Sequence, residues 1–270
     1  MTPSTTRPNA GDPAAGDPVA PAPALSVVIP AYNEAARLPA FLDSVLAWAR
    51  ASGRAVEVLV VDDGSSDGTA EVARARAAAG DVLRVLRCPT NRGKGAAVRA
   101  GLTRARGARR LFVDADGATA IHELEALERA LDAGADLAIG SREGGGTLIE
   151  ASALRRFLGR WFNRAVRMGT VRGLRDTQCG FKLFNERALA LVPLLREDGF
   201  AFDVELLLLA QTRGLSVAEV PVNWREVPGS KVHLARDGVR MLQAVRRIKA
   251  RFVGGDYARA EVNEVPCDEL

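Results

Sequence analysis

Residues 56–69, VEVLVVDDGSSDGT, decide the fold that this sequence predicts. The run from Val56 to Val61 is apolar almost throughout and rich in β-branched residues, which is typical of a strand buried on both faces of a parallel sheet. Two adjacent carboxylates, Asp62 and Asp63, follow it, and a Gly/Ser turn then leads into a helix. A buried strand that ends in charged residues predicts an α/β domain with a ligand site at the strand end.

The same arrangement recurs on both sides of this stretch. Apolar strand patterns occupy residues 25–30, 82–86, 110–113 and 136–140, and helical patterns lie between them at 36–50, 67–79, 94–106 and 122–133. Alternating strands and helices predict a Rossmann-like α/β fold with a single, mostly parallel sheet and helices on both faces. Ligands of such sheets bind at the carboxyl ends of the strands.

The composition fits this domain with a tail at each end. The chain has 270 residues, 47% hydrophobic and 26% charged, enough to bury the core of one large domain or two small ones. We expect residues 1–24, a Pro/Ala-rich tail, to be disordered, and the acidic tail 254–270 likewise. The domain then spans 25–234, and a basic amphipathic helix follows at 235–253.

The net charge of +4 hides an uneven distribution, because both tails are acidic on balance and the positive excess lies between them. A basic body indicates an anionic partner, which is nucleic acid, a phosphate-bearing ligand or a membrane surface. Nucleic acid is not expected, because aromatic residues make up only 5% of the chain and its most distinctive motifs are acidic.

The cysteine and histidine content indicates the redox state of the thiols and limits the kinds of metal site that the chain can form. Cys88, Cys179 and Cys267 are scattered and odd in number, which favours reduced thiols over a disulfide framework or a zinc site. With only two histidines, a multi-histidine metal site is not expected. No apolar run reaches the roughly 18 residues of a transmembrane helix, and no signal peptide pattern is seen.

Two glycine- or proline-containing segments follow the predicted strands. PAYNE begins at Pro30, which would end the strand ladder, and Tyr32 offers a flat ring with a polar tip. Taken alone, this segment is also well explained as a turn with a helix cap at Asn33. NRGKGAA begins at Asn91, and its glycines and Lys94 suit close contact with phosphate oxygens.

The fourth strand ends in Asp114-Ala115-Asp116. Alternate residues of an extended segment point the same way, so both carboxylates would face one ligand. Oxygen-only ligands suit Mg²⁺ or Mn²⁺, which bind one or two carboxylates and complete their shell with water and diphosphate oxygens. The alternative is a capped turn with no ligand.

Together these strand ends resemble the GT-A glycosyltransferases of family 2, which use nucleotide sugars. The resemblance rests on PAYNE, VVDDGSSDGT, NRGKGAAVRAG and the DxD pair. A second set, DTQCGFKLF (176–184), AFDVELL (201–207) and EVPVNWREVPGSKV (219–232), resembles the dolichyl-phosphate β-glucosyltransferase subgroup, whose members transfer glucose from UDP-glucose to a polyprenyl phosphate.

The resemblance also implies roles for individual residues. Asp116 would hold the metal, with Asp114 sharing it or contacting the ribose. The residues implied at the nucleotide sugar are Pro30, Tyr32, Glu34, Val61, Asp63, Lys94, Asp114 and Ala115, with Arg142, Arg225 and Lys231 at the phosphates.

A phosphate acceptor changes the catalytic requirement. Its second pKa is about 6, so the attacking oxygen is already ionised at neutral pH and needs no general base. The enzyme would instead need cations that bring two anions together, and it would invert the anomeric carbon. Candidate cations are Arg142, Arg155, Arg156, Lys182, Arg225 and Lys231. For a hydroxyl acceptor, Asp176 or Asp203 is the best base candidate, and we expect the loop from Asp176 to lie on the acceptor side.

A lipid acceptor predicts contact with a membrane surface. Residues 153–168 and the last helix carry apolar stripes beside arginines, a pattern typical of helices that lie on anionic lipid. A core-facing stripe with a solvated basic face explains the same pattern. We expect a cytoplasmic protein that is peripheral on the cytoplasmic face of the membrane.

Two other functions fit the sequence less well. One is the same fold with a GDP-mannose donor or a soluble acceptor, which the sequence alone distinguishes poorly from transfer of glucose to a polyprenyl phosphate. A non-catalytic nucleotide-binding scaffold is disfavoured by the intact Asp114 and Asp116.

Overall fold

Strands and helices alternate through the first half of the chain, in the order that the sequence pattern predicts. The computed structural model describes residues 22–77, 82–143, 149–150, 171–228, 234–258 and 264–270. The strands are β1 (Leu25–Ala31), β2 (Val56–Asp62), β3 (Leu83–Arg87), β4 (Arg109–Val113), β5 (Leu137–Ser141), β6 (Ile149–Glu150), β7 (Phe181–Phe184), β8 (Val217–Pro221), β9 (Trp224–Arg225) and β10 (Asp268–Glu269). The helices are α1 (Leu38–Ala51), α2 (Thr69–Arg74), α3 (Lys94–Arg104), α4 (Leu124–Asp132), α5 (Glu186–Leu189), α6 (Phe202–Thr212) and α7 (Leu234–Gly254).

Eight strands form one sheet in the order β10-β3-β2-β1-β4-β7-β5-β8. β3, β2, β1 and β4 are parallel, whereas β7 lies antiparallel between β4 and β5. β6 and β9 form a separate parallel pair. Because β7 pairs Phe181 with Val113, the residues just before β7 lie beside the carboxyl end of β4. The mostly parallel α/β sheet is confirmed.

Helices cover both faces of the sheet, as predicted. α1 buries Leu38, Leu42 and Val45, which are three or four residues apart and therefore share one side of the helix. These residues pack with α2 and α4 on one face, and α3, α6 and α7 enclose a second core on the other.

α7 is held on the protein by its apolar stripe. The buried residues of this stripe are Met241, Ala244, Val245 and Ile248. On an adjacent side, Arg247 and Arg251 pair with Glu197 at 2.9 and 2.8 Å. The lipid-facing interpretation is therefore wrong for this stripe, because helical periodicity identifies an apolar side without showing what covers it. The other basic segment, 153–168, lies outside the described residues. In the described ranges no helix is both long enough and apolar enough to cross a membrane.

The acidic tail is ordered where the structure describes it, which corrects the expectation of disorder for residues 254–258 and 264–270. β10 pairs antiparallel with β3, and Arg84 of β3 forms an ion pair with Glu269 at 2.7 Å. Val265 is buried, and its carbonyl accepts a hydrogen bond from Arg104 at 2.9 Å. Glu269 of the tail thus has a basic partner on β3.

A disulfide joins Cys88, directly after β3, to Cys267, directly before β10. The expectation of reduced thiols is therefore wrong for this pair, and only Cys179 is a free, buried thiol. Scattered spacing did not reveal the pairing, because the two residues become neighbours only when β10 docks on β3. The bond closes a long loop and fastens the C-terminal segment to the sheet edge.

Candidate functional site

The ends of β1 and β2 are fastened to each other at the edge where the site forms. Ala31 pairs with Asp62, and the carbonyl of Ala31 accepts a hydrogen bond from the N–H of Asp63 at 2.9 Å. Pro30 lies within β1 and does not end it, which corrects that prediction. The ladder with β4 ends at Val28, two residues earlier, so the missing N–H of Pro30 interrupts no bond on that side.

Asp63 is the anchor of the loop that precedes α3. Its buried carboxylate accepts hydrogen bonds from the Asn91 side chain at 3.0 Å and from the N–H groups of Arg92 and Gly93 at 3.0 and 2.7 Å. Burial raises the pKa of Asp63, although the two N–H groups act in the opposite direction. The NRGKG loop is therefore fixed against the second strand end, which places Lys94 at the site.

Glu34 and Arg37 link the first strand end to the DxD segment. Arg37 donates to Glu34 at 2.7 Å through Nε, and its Nη1 lies 3.9 Å from Asp116. The hydrogen bond to Glu34 raises the pKa of Arg37 further above its usual range. Glu34 is thus engaged with Arg37, whereas the nearby Tyr32 is 41% exposed.

The two carboxylates of the DxD segment sit between cations. Lys94 Nζ lies 2.7 Å from Asp114 Oδ1, and Asp116 accepts the N–H of Ala118 at 3.1 Å. Burial and the neighbouring Asp114 raise the pKa of Asp116. Burial lowers the pKa of Lys94, but Asp114 and Asp203 raise it more, so Lys94 stays charged.

Gly180 makes room for the Asp114 carboxylate. A Cβ atom at Gly180 would lie 2.5 Å from Asp114 Oδ1 and closer still to Oδ2 and Cγ. The carbonyl of Gly180 also accepts the N–H of Asp114 at 3.0 Å. Only glycine therefore allows the observed position of Asp114. Gly180 was not predicted as a site residue, although it lies inside the DTQCGFKLF block.

Asp114 and Asp116 fit a divalent cation. In the described part of the chain no three His, Cys, Asp or Glu residues gather into a metal cluster, so the protein would supply these two carboxylates alone. Mg²⁺ and Mn²⁺ bind in this way when waters and substrate phosphates complete their shell. A cation would also relieve the repulsion that raises the pKa of Asp116.

Arg142 and Asp176 form a bidentate ion pair. Arg142 donates to the two carboxylate oxygens of Asp176 at 2.7 and 2.9 Å, and its N–H also donates to Asp176 at 3.0 Å. Burial alone would raise the pKa of Asp176, but Arg142 holds it below its usual range. A carboxylate with a lowered pKa is a poor general base, so the geometry favours a positioning role. Glu219 fixes the loop by accepting the N–H of Asp176 at 2.7 Å.

Comparison with known proteins identifies the family of this chain. A sequence model of glycosyl transferase family 2 matches residues 26–190. The chain belongs to glycosyltransferase family 2.

Its curated relatives and structural neighbours agree. It is 42% identical to a dolichyl-phosphate beta-glucosyltransferase of Trichomonas vaginalis, over 90% of this chain and 76% of the relative. The human protein of the same name is 39% identical over 88% of this chain and 78% of its own length. Mannosyl-3-phosphoglycerate synthase from Rubrobacter xylanophilus shares the fold, with a TM-score of 0.63 at 21% identity, covering 90% of this chain and 77% of that one. So does glucosyl-3-phosphoglycerate synthase from Mycobacterium tuberculosis, solved with Mn²⁺, UDP and glucosyl-3-phosphoglycerate, with a TM-score of 0.60 at 21% identity and coverage of 83% and 80%.

The resemblance inferred from the strand-end motifs is therefore confirmed, and the protein is a glycosyltransferase with an α/β fold of the GT-A type. The residues at its strand ends come from distant parts of the chain. Asp63, Lys94, Asp114, Asp116 and Arg37 are brought together by the ends of β1, β2 and β4 and the start of α3.

The other predicted site residues of this glycosyltransferase differ in their surroundings. Val61 is fully buried in the core, and Ala115 is buried beside the two aspartates. Arg225 is exposed on β9, and its N–H donates to the carbonyl of Ala118 at 2.9 Å, so it stands near the DxD loop. The remaining predicted cations, Lys231, Arg155 and Arg156, lie outside the described residues.

Lys182 and Asp203 form a buried ion pair beneath the site. Lys182 Nζ lies 2.7 Å from Asp203 Oδ1 and donates to the carbonyl of Cys179 at 2.5 Å. Both residues are buried, so Lys182 does not present its charge to a phosphate and Asp203 does not reach an acceptor hydroxyl. The prediction that Lys182 is one of the cations that position the substrate phosphates is wrong, because the antiparallel β7 points this side chain into the domain.

The loop before α6 contributes residues that the sequence analysis did not identify. Asp198 accepts hydrogen bonds from Arg92 at 3.0 Å and from the buried Arg99 at 2.6 Å. A Cβ atom at Gly93 would lie 2.6 Å from the carbonyl oxygen of Asp198. This loop is therefore packed directly on the backbone that presents Lys94.

Proposed function

We propose that this glycosyltransferase transfers glucose from UDP-glucose to a polyprenyl phosphate of the dolichyl type, with inversion at the anomeric carbon. The observation that carries the proposal is the substantial identity, over most of the chain, to curated dolichyl-phosphate beta-glucosyltransferases. The site geometry supports it, because its charged groups suit the handling of two phosphate-bearing substrates.

The donor side consists of the DxD pair and its neighbours. Tyr32 and Asp63 are proposed to contact the nucleoside, together with Pro30, Glu34, Val61 and Ala115 at the neighbouring strand ends. Asp114 and Asp116 would hold Mg²⁺ or Mn²⁺, which neutralises negative charge on the departing diphosphate. Glu34 supports this segment indirectly, by orienting Arg37 toward Asp116.

The acceptor side needs cations and no proton acceptor. An oxygen of the acceptor phosphate attacks the anomeric carbon while the bond from that carbon to the diphosphate breaks, and UDP leaves with the electron pair. The attacking oxygen is already ionised at neutral pH, since the second pKa of a phosphate monoester is about 6. Both base candidates, Asp176 and Asp203, are buried in ion pairs, which agrees with a reaction that needs no base.

Arg142 would orient the reacting phosphates from its fixed place. The Asp176 carboxylate and the Trp224 ring, whose centre lies 5.7 Å from the guanidinium carbon, hold Arg142 from two sides. Held in this way, the guanidinium loses little freedom when it binds an anion. Arg225 and Lys231 are proposed as further phosphate contacts.

The enzyme would meet its lipid at the membrane surface, on the cytoplasmic face. The basic body would supply the attraction, at about 1 kcal/mol per Lys or Arg close to anionic lipid. Flotation of the purified full chain with anionic vesicles should decrease as salt rises and should be absent with neutral vesicles. Equal recovery with both vesicle types would contradict electrostatic attachment.

A donor and acceptor panel tests the reaction. Purified protein is incubated with membranes and with radiolabelled UDP-glucose or GDP-mannose, and label is counted in the lipid and aqueous phases. We expect label in the lipid phase from UDP-glucose. Transfer from GDP-mannose, or to added 3-phosphoglycerate, would indicate a different donor or a soluble acceptor. Nucleotide binding without any transfer would indicate a scaffold.

A further inference from the structure

Phe200 exposes an aromatic ring beside a cation of the site. Its side chain is 45% exposed, whereas its neighbours Ala201 and Phe202 are buried. The ring centre lies 5.9 Å from Lys94 Nζ. An exposed phenylalanine next to a site lysine offers an apolar surface beside a cation, and an apolar ligand group that covered the ring would gain burial there.

The loop that carries Phe200 is fixed on both sides. Asp198 binds Arg92 and Arg99, and Glu197 binds Arg247 and Arg251 of α7. The N–H of Glu197 also donates to the buried Glu205 at 2.8 Å. These contacts hold the loop on α3, α6 and α7. The outward position of the Phe200 ring is therefore set by the packing of the loop.

Lys94 has the capacity to bind a further anion. Its ammonium group has three N–H donors, one of which is directed at Asp114 at 2.7 Å. The ammonium lies near two aromatic rings, with the centre of Phe112 at 5.3 Å and that of Phe200 at 5.9 Å. Phe112 is fully buried, whereas Phe200 is exposed. Of these two rings, a ligand bound to Lys94 could therefore contact that of Phe200.

A charged headgroup joined directly to a hydrocarbon chain matches this arrangement. We propose that Phe200 is a positioning residue for the acceptor, contacting the first isoprenoid units while Lys94 binds the phosphate attached to them. This proposal replaces the expectation, taken from the family resemblance, that Lys94 contacts the nucleotide sugar. The inference deepens the proposed function and rests on it. It assigns the acceptor to the side of Lys94 that faces the 197–200 loop.

The test compares Phe200→Ala with Phe200→Leu, which keeps an apolar side chain, and with Val253→Ala, which shortens an apolar side chain that is exposed on α7. Steady-state kinetics in detergent micelles give kcat and the KM of each substrate. UDP-glucose binding and polyprenyl phosphate binding are measured separately at equilibrium. Phe200→Ala should raise the KM for polyprenyl phosphate about tenfold, since it removes the apolar contact area of the ring. kcat and UDP-glucose affinity should not change.

Phe200→Leu should recover most of the acceptor affinity, and Val253→Ala should match the wild type. An unchanged acceptor KM in Phe200→Ala, or a parallel loss of UDP-glucose affinity, would overturn the assignment. If the wild type binds UDP-glucose but transfers nothing to polyprenyl phosphate, the proposed function fails. The equilibrium binding data then decide the inference alone. Tenfold weaker polyprenyl phosphate binding by Phe200→Ala supports it, and equal binding refutes it.

Discussion

Adding one methyl group at Gly180 should disable the metal site while leaving the fold in place. The new Cβ would overlap the Asp114 carboxylate, so this side chain must rotate away. The backbone of Gly180 does not have a positive φ, so alanine brings no conformational strain of its own. The substitution therefore acts on Asp114 almost exclusively.

The size of the effect follows from what Asp114 loses. Its charge-assisted hydrogen bond to Lys94 is worth about 1.5–3 kcal/mol when buried, and partial exposure brings the figure to the lower end of that range. For a chain of this size, such a loss lowers Tm by only a few degrees. Moving Asp114 also disturbs the proposed metal site, and we expect Mn²⁺ affinity and activity to fall by about 10–100-fold.

The assay is a Mn²⁺ titration of glucosyl transfer by wild type and Gly180→Ala, with Tm measured in parallel. Gly254→Ala is the matched control, because its Cβ meets Asp256 at an ordinary contact distance of 3.5 Å. Wild-type activity and Mn²⁺ dependence in Gly180→Ala would refute the reasoning. So would a loss that Gly254→Ala shares.

Three further predictions concern other parts of the structure. Asp116→Ala should abolish metal-dependent transfer with Tm nearly unchanged, because the strand-end loop carries little of the core, and EDTA should silence the wild type. Asp176→Asn should impair transfer while UDP-glucose binding survives. Because Arg142 lowers the folded-state pKa of Asp176, the stability it contributes is present above its unfolded pKa of about 4 and is lost as pH falls through the folded value. The Tm difference between wild type and Asp176→Asn should therefore shrink in acid. Reduction of the Cys88–Cys267 disulfide should destabilise the protein by about 2–4 kcal/mol, and Cys267→Ser should match the reduced wild type in a denaturant titration.

Each of these predictions has a distinct contrary outcome. Turnover that persists in EDTA would contradict the metal dependence of transfer. Loss of UDP-glucose binding in Asp176→Asn, with transfer per bound donor intact, would move Asp176 to the donor side. A Tm difference that grows in acid would contradict the lowered pKa. An unaltered unfolding curve in reductant would show that the C-terminal segment is held without its disulfide.

The strand-end carboxylates were predictable because parallel strands end at one edge of their sheet. Asp63, Asp114 and Asp116 each follow an apolar run, so local pattern and fold class together place them near one another. The ion pairs among them were not predictable in the same way. Arg37 and Lys94 belong to helical segments, and their partners depend on how each helix is seated.

The features that the sequence did not indicate depend on the chain after Ser141. The positions of Gly180 and Lys182 result from the antiparallel direction of β7 in the sheet. The pattern of a four-residue strand such as Phe181–Phe184 does not show whether the strand runs parallel or antiparallel to its neighbours. The docking of β10 and the pairing of Cys88 with Cys267 depend on a contact between the C-terminal segment and β3, which are 179 residues apart in the chain at the disulfide. No spacing rule for cysteines specifies such a pairing.

The most direct test of the proposed inverting glucosyl transfer is the chemical identity of the product that the purified protein makes from UDP-glucose, a defined polyprenyl phosphate and Mn²⁺. Mass spectrometry identifies the lipid product, and the coupling constant of its anomeric proton gives its configuration. We predict a single hexosyl polyprenyl phosphate with a β linkage, formed with Mn²⁺ and not formed in EDTA. An α-linked product, or no lipid product from a protein that binds UDP-glucose normally, would contradict it.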